Sequence, residues 1–163
     1  YSIVRRQGFK ETGKGTSFKS IENSIIDYKI QRYKLFKYLS HAYVVYFSGR
    51  WMVDFLSSME GKNVGIIKDT SLIKELMATS AGMKSFTSYM ATLGIEELRK
   101  SCGGNGYLMH SGIATIGCDY LWQVTAEGDM IILALSTARH IVSTIGNVRK
   151  GKKITGVLDY FNC

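Results

Sequence analysis

The chain has 163 residues, of which 45% are hydrophobic and 21% are charged, and it carries a formal net charge of +8. This length and composition indicate one globular domain with a core of its own and argue against a disordered chain. The sequence contains no proline, which favours long uninterrupted helices over a β-rich fold with proline turns.

The excess positive charge admits several anionic partners, namely nucleic acid, a membrane surface or a nucleotide-bearing cofactor. Much of it lies in two clusters near the ends: Arg5, Arg6, Lys10, Lys14 and Lys19, and then Arg149, Lys150, Lys152 and Lys153. Such runs form solvated surface more often than binding sites, and no nucleic-acid-binding motif accompanies them. We therefore predict no nucleic-acid partner.

The cysteines and the hydropathy of the sequence exclude further classes of protein. The three cysteines have no CxxC spacing, which argues against a disulfide framework and a zinc site and is consistent with a reducing compartment. The best apolar run, residues 130–135, soon meets Arg139 and His140, so no transmembrane segment is predicted. The first residue is Tyr1 and no signal-peptide pattern follows it, so we expect the chain to be part of something longer.

The first predicted elements are a turn, a loop and a long helix. Residues 1–7 are interpreted as the last turn of a helix, and residues 8–20, rich in Gly, Lys, Thr and Ser, as a mobile loop. Three- and four-residue spacing of apolar side chains then predicts a helix whose apolar face lies in the core. That face consists of Ile26, Ile30, Tyr33, Phe36, Leu39, Tyr43, Tyr46 and Val53.

A second long helix follows a break at residues 60–67, with Asp69 or Thr70 as its N-cap. Its predicted apolar face consists of Leu72, Leu76, Met83, Phe86, Met90 and Leu93. Gly82 inside this helix indicates a close approach of another helix, since a glycine there costs roughly 1 kcal/mol against alanine. Gly94 is predicted to cap the helix, before a short further helix over residues 95–100.

The last predicted element is an amphipathic helix from about Asp129 to Val148, preceded by an irregular stretch after Tyr107. Its apolar face consists of Ile132, Leu135, Ala138, Val142 and Ile145. The sum is an all-α fold, an antiparallel helical bundle over residues 1–163 with its irregular joints at one end.

Glu127 is the strongest candidate for chemistry. It stands between Ala126 and Gly128 just before the last helix, with no Lys or Arg within helical reach to pair with it. A carboxylate in this position is often only a helix-start residue favoured by the helix dipole. In an apolar pocket, however, desolvation would raise its pKa and make it a better base near neutral pH.

The second candidate is the glycine bend, Cys102-Gly103-Gly104-Asn105-Gly106-Tyr107. Glycines allow a ligand to approach the backbone and its N–H groups, although a plain helix–helix turn explains such a run equally well. Residues 146–153 imitate a phosphate loop but end in Lys153, where a serine or threonine is needed for magnesium. The three histidines show no metal spacing, and no His or Asn is placed to activate Cys102, so neither a metal site nor thiol catalysis is predicted.

Five ordered motifs resemble the carboxy-terminal part of peroxisomal acyl-CoA oxidases, a branch of the acyl-CoA dehydrogenase superfamily. They are YSIVRRQ at residues 1–7, IDY…Q…YKLF at 26–36, GIEE…RK…CGGNGY at 94–107, SGI at 111–113 and EGD…TAR at 127–139. Together they cover nearly the whole chain. The resemblance implies the helical C-terminal bundle of such an oxidase, without the domains that precede it.

The resemblance also implies an activity, the FAD-dependent oxidation of a fatty acyl-CoA to a trans-2-enoyl-CoA. Electrons would pass from the flavin to dioxygen, giving hydrogen peroxide. Glu127 falls on the family's catalytic base, which takes the α-proton, and its backbone N–H would help to hold the thioester oxygen. A peroxisomal location and a homodimer formed through the bundle are implied as well.

For the cofactor, the resemblance implies that Arg5 and Gln7 hold the FAD of the partner subunit. Gly103 and Gly104 match glycines that lie against the same cofactor, and Gly128 sits at the flavin end. This agrees with the chemistry of the residues, since a basic side chain and bare backbone suit a pyrophosphate.

Some positions depart from the family pattern and keep other functions open. Ala126 and Met130 replace an aromatic residue and an asparagine, Gly8-Phe9 follows the Arg-x-Gln, and residues 161–163 are not a peroxisomal tripeptide. The alternative is a catalytically inactive relative that serves as a structural subunit of a larger assembly. A third option is a basic helical module that binds anionic surfaces.

Overall fold

A computed structural model describes residues 1–9, 22–60 and 72–162 of the chain. The predicted N-cap at Asp69 or Thr70 lies outside these residues, as does most of the predicted loop at 8–20. The chain divides into two compact units. Unit 1 consists of Tyr1–Tyr43 and Thr92–Tyr120, and unit 2 of Val44–Ala91 and Leu121–Cys163.

Helices dominate the described residues, so the predicted all-α class is confirmed. They are α1 (Lys29–Glu60), α2 (Ile73–Lys100), α3 (Gly104–Tyr107), α4 (Ile113–Tyr120) and α5 (Met130–Arg149). Single 3-10 turns lie at Ile25–Asp27, Met109–Ser111, Leu121–Val124 and Asp159–Asn162. The stretch after Tyr107 was predicted to be irregular, but much of it is helical and contains α4.

The start of the chain differs from the prediction. Hydrogen bonds from the N–H groups of Val4 and Arg5 to the carbonyl of Tyr1 close one turn, but a strand follows it. Strand β1 (Arg6–Phe9) pairs antiparallel with β2 (Glu22–Ser24). Gln7 therefore lies in a strand and not in a helical turn, because the backbone pairs with a segment more than a dozen residues away.

In unit 1, α1 and α2 run antiparallel. The side-chain amide of Gln31 donates to the carbonyl of Ser101 at 2.9 Å, and the Lys34 ammonium lies 3.6 Å from the Glu97 carboxylate. One turn further along, the Tyr38 ring packs on Gly94, where an added Cβ would lie 2.9 Å from the ring. Gly94 is therefore a close-contact residue inside α2 and not the predicted cap, and no separate helix begins at residue 95.

In unit 2, α2 and α5 pack through small residues. Gly82 faces Thr137, since an added Cβ would lie 3.0 Å from the Thr137 hydroxyl. That hydroxyl donates to the carbonyl of Ala78 at 2.8 Å, and the Ser85 hydroxyl donates to the carbonyl of Met130 at 2.8 Å. The close helix approach predicted at Gly82 is present, and the two helices run antiparallel.

The predicted apolar faces of α1 and α5 are largely exposed, whereas most of the predicted face of α2 is half-buried. On α1 the side chains of Tyr33, Phe36 and Tyr43 are more than half exposed, and on α5 Ile132 is 61% and Val142 69% exposed. The contacts described above between α1 and α2 and between α2 and α5 involve small and polar side chains, which allow close backbone approach. The apolar stripes are thus left for surfaces other than the helix pairs within each unit.

α5 is the one described helix that is long and apolar enough to cross a membrane. These two properties alone are weak evidence, because a helix that packs inside a protein has them as well. The contacts of α5 with Ala78 and Ser85 on α2 show one such packing surface.

The contact between Ser85 and Met130 provides a test of the α2–α5 packing. We expect Ser85→Ala to destabilise it by about 1 kcal/mol, because a part-buried hydrogen bond between the helices is lost. Ser80→Ala is the matched control, since that exposed serine donates to Met77 on its own helix and to no other described residue. Hydrogen exchange of α2 amides should become about fivefold faster in the first variant only. Equal exchange in both variants would contradict the packing described above.

Candidate functional site

Glu127 lies in a turn between the 3-10 turn Leu121–Val124 and α5, and its backbone is unusual. Its φ angle is 57°, and it is the one non-glycine residue in the described ranges with a positive φ. A glutamate in this region of φ/ψ space is strained, and such residues cluster at functional sites. The carbonyl of Trp122 accepts the N–H of Ala126 at 2.8 Å, which holds the residue just before it.

Three groups fix this turn. The ammonium of Lys84, on α2, donates to the carbonyl of Gly128 at 2.7 Å. Asp129 caps α5, its carboxylate accepting the N–H of Ile131 at 2.9 Å. Gly128 itself has φ 116°, a conformation that L side chains rarely adopt, so a glycine is needed there. Lys84 was not predicted to have a role.

The functional groups of Glu127 are unengaged within the described residues. Its carboxylate has neither an ion pair nor a hydrogen bond there, and its backbone N–H has no acceptor among them. The residue is exposed, so this chain does not itself supply the apolar pocket that the sequence argument required. Exposed apolar side chains flank the turn on both sides: Leu121, Trp122, Ile131 and Ile132.

The glycine bend of unit 1 exposes bare backbone. Gly103 has φ 57° and is the N-cap of the four-residue helix α3, while its N–H donates to the carbonyl of Lys100 at 3.0 Å. A Cβ added at Gly103 or Gly104 would meet no atom of a described residue within 4 Å, so no described part of unit 1 covers this surface. Gly106, by contrast, is buried against the end of α2.

Arg5 and Gln7 are exposed. Hydrogen bonds fix their backbone, but no described residue bonds to their side chains. The carbonyl of Arg5 accepts the N–H of Ile25 at 3.0 Å, and that of Gln7 accepts the Tyr28 hydroxyl at 2.7 Å. Neither side chain bonds to another described residue, whereas the Arg6 guanidinium donates to the carbonyl of Glu22. A free guanidinium and a free amide on a fixed backbone suit a phosphate-bearing ligand.

Hydrogen bonds tie the start of the chain to the glycine bend within unit 1. The Gln31 amide bridges the Ser2 hydroxyl and the carbonyl of Ser101, at 2.9 Å each. Asn105, inside the bend, donates to the Tyr1 hydroxyl at 3.3 Å. The segments that carry Arg5 and Gly103 are therefore linked by side chains on α1 and α3.

The basic residues just before the bend are neutralised by neighbours. The Arg99 guanidinium lies 2.7 Å from the Glu96 carboxylate and lowers the pKa of that group, and Lys100 lowers the pKa of Glu97 in the same way. The pKa values of Arg99 and Lys100 are raised in return. These cations are ion-paired, so Arg5, which has no ion-pair partner among the described residues, is the better ligand for an anion.

The predicted site residues are divided between the two units. Arg5, Gln7, Gly103 and Gly104 lie in unit 1, and Glu127 with Gly128 lies in unit 2. No group of three His, Cys, Asp or Glu side chains that could hold a metal ion occurs among the described residues.

Comparison with known proteins gives the same family along almost the whole chain. Residues 1–142 match the model of the acyl-CoA oxidase C-alpha1 domain. The peroxisomal acyl-coenzyme A oxidase 1 of Rattus norvegicus is 39% identical over 163 residues, which cover 99% of this chain and 23% of the relative. The chain thus spans about a quarter of the length of that curated relative.

Solved structures of acyl-CoA oxidases have the same fold. The tomato (Lycopersicon esculentum) enzyme gives a TM-score of 0.87 at 37% identity, covering 99% of this chain and 23% of the other. Acyl-CoA oxidase-2 of Caenorhabditis elegans, bound with FAD, ascaroside-CoA and ATP, gives 0.84 at 32% identity, covering 98% and 23%.

Proposed function

The chain belongs to the acyl-CoA oxidase family through its C-alpha1 domain, and from this we propose that it supplies the catalytic base of an acyl-CoA oxidase. The reaction is the oxidation of a fatty acyl-CoA to a trans-2-enoyl-CoA, with transfer of electrons to dioxygen and formation of hydrogen peroxide. The observation that carries the proposal is the strained turn at Glu127, whose carboxylate and backbone N–H both have no partner among the described residues.

In the proposed mechanism, the Glu127 carboxylate takes the α-proton of the acyl chain. The N–H of the same residue donates to the thioester oxygen, which makes the α-proton more acidic and stabilises the developing negative charge. The exposed apolar side chains around the turn, such as Trp122 and Ile132, would exclude water once the acyl chain covers them.

Two segments of unit 1 fit FAD as the cofactor. Arg5 and Gln7 would hold its pyrophosphate across a subunit interface, while Gly103 and Gly104 allow it to lie directly against the backbone. Gly128 would lie at the flavin end. A bound FAD would supply the hydride acceptor for the β-hydrogen and the route of the electrons to dioxygen.

The remaining parts of the proposal concern the assembly and its location. We place the chain, over residues 1–163, as a helical C-terminal bundle that forms a homodimer. The exposed apolar stripes of α1 and α5 support a homodimer, because apolar faces of this length are normally covered by another surface. Curated relatives are named peroxisomal, and we propose the same location here.

One experiment separates this function from that of an inactive structural subunit. The full-length protein is purified, its flavin absorbance is recorded, and a fatty acyl-CoA is added with and without dioxygen. The enzyme should be yellow, should bleach with the acyl-CoA without dioxygen, and should release hydrogen peroxide with it. A colourless protein that releases no peroxide would favour the structural subunit.

Lys84 is expected to position the catalytic turn, because its ammonium holds the carbonyl of Gly128. Lys84→Met should lower kcat by about 10- to 100-fold, since small displacements of a base are costly, while KM and flavin content change little. Lys84→Arg can still donate to the same carbonyl and should recover part of kcat. If both variants keep the wild-type kcat, Lys84 has no positioning role.

A further inference from the structure

A second candidate site lies at the far end of α5. A cavity of about 290 Å³ is formed in unit 2 by the start of α2, the last turns of α5 and the segment that follows α5. It is lined by Leu72, Lys74, Glu75, His140, Thr144, Asn147, Lys152, Lys153, Ile154, Thr155 and Leu158. None of the residues proposed for the oxidation is among them. Along α5, the first residue and Asn147 are separated by about 25 Å.

The charges around this cavity favour an anion. Lys74, Lys152 and Lys153 are exposed at it, and none of them forms an ion pair with a described residue. Glu75 is the one carboxylate in the lining. It is 7% exposed and accepts the backbone N–H of Val157, so it is committed to holding the segment after α5. Three cations therefore face one carboxylate that already has a structural role.

Two polar side chains on the α5 wall of the cavity have no hydrogen-bond partner among the described residues. Thr144 is 8% exposed, and its hydroxyl makes no hydrogen bond with a described residue. The side-chain amide of Asn147, one turn later, is likewise unbonded within the described part of the chain. Both side chains line the cavity and can donate to a ligand oxygen that enters it.

We propose that this cavity binds a small phosphate-bearing anion, with pyrophosphate as its simplest form. The three lysines neutralise the phosphate oxygens, while Thr144 and Asn147 donate to those that enter deepest. The sequence of residues 146–153 fails as a nucleotide phosphate loop, yet it supplies two of these lysines and Asn147. The site rests on this geometry and not on the proposed oxidation.

The test is a calorimetric titration of the full-length protein with sodium pyrophosphate at low ionic strength. The double variant K152Q/K153Q should bind at least about tenfold more weakly, because two charge-assisted contacts are lost. R149Q/K150Q is the matched control, since it removes two charges from the same stretch at residues that do not line the cavity. It should bind within about twofold of the wild type. Equal weakening in both variants, or no binding by the wild type, would overturn the proposal.

Three further measurements locate the anion, test the role of Thr144 and identify the source of the anion. Pyrophosphate should slow the acetylation of Lys74, Lys152 and Lys153 but not that of Lys150, as read by mass spectrometry. Thr144→Val, which preserves shape, should weaken binding about two- to tenfold while the helix content stays the same. Titrations with inorganic phosphate and with a nucleoside diphosphate distinguish a free anion from a nucleotide. Protection of Lys150 equal to that of Lys152 would exclude the cavity as the site.

Discussion

Replacing Glu127 by glutamine is expected to lower acyl-CoA oxidation by about a thousandfold while the protein keeps its flavin. The amide has nearly the same shape as the carboxylate, so the strained turn and its contact with Lys84 should persist. An amide cannot accept the α-proton, and a well-placed general base contributes about 10² to 10⁴ to the rate. Peroxide release under saturating acyl-CoA measures the effect, and the flavin absorbance of the same sample measures cofactor content.

Asp129→Asn is the matched control for this variant. It makes the same carboxylate-to-amide change two residues away, at the N-cap of α5, where asparagine is as good a cap as aspartate. We expect it to keep wild-type activity within about threefold, because Asp129 holds the helix start and not the substrate. Equal loss of activity in both variants would show that local charge matters and not a particular base. Full activity of Glu127→Gln would remove Glu127 from the mechanism.

The sequence predicted where the helices lie better than it predicted which of their faces are buried. The three- and four-residue spacing of apolar residues predicted α1, α2 and α5, since this period belongs to the helix itself. The same pattern assigned Phe36 to the core and Val142 to the apolar face of α5, and the structure exposes both side chains. Periodicity shows which face is apolar, but it does not show which surface covers that face. In a chain that spans 23% of its relatives, helix pairs can form through other faces.

Glycines gave a mixed result for a related reason. Gly82 was predicted to allow close helix contact, and it does, with Thr137 on α5. Gly94 was predicted as a cap, but it lies inside α2 under the Tyr38 ring. Both positions combine a missing side chain with a neighbour on another helix, and only the three-dimensional contact distinguishes packing from a helix end. The strand pair β1–β2 was missed because its partners are far apart in sequence and only three or four residues long.

The sequence allowed the candidate site residues to be named, but it did not predict the geometry around them. Glu127 and Gly103 were identified from their neighbours in sequence and from the family resemblance. The positive φ of Glu127 and the bond from Lys84 to Gly128 had no sequence signal, since Lys84 resembles any lysine on an amphipathic helix. The roles of these residues remain predictions, which the variants of Glu127 and Lys84 test directly.

The glycine bend is expected to tolerate no side chain at Gly106. An alanine Cβ there would overlap the carbonyl oxygen of Arg99 and lie 2.9 Å from its carbonyl carbon. Backbone at the end of α2 cannot move aside as a flexible side chain can, so we expect Gly106→Ala to cost about 3 kcal/mol. The bend that carries Gly103 and Gly104 should be displaced as a result. The thermal unfolding temperature and the flavin content of the full-length protein should both decrease.

Gly104→Ala adds the same methyl group two residues earlier and separates folding from cofactor binding. Its Cβ would enter open space, and its φ lies outside the left-handed region, so the fold should be as stable as that of the wild type. If Gly104 lies against FAD as proposed, however, the methyl group should weaken flavin binding without lowering the unfolding temperature. A stable Gly106→Ala protein would contradict the buried contact with Arg99. Unchanged flavin affinity in Gly104→Ala would instead move the cofactor away from the bend, because a methyl group on its proposed contact surface cannot be neutral.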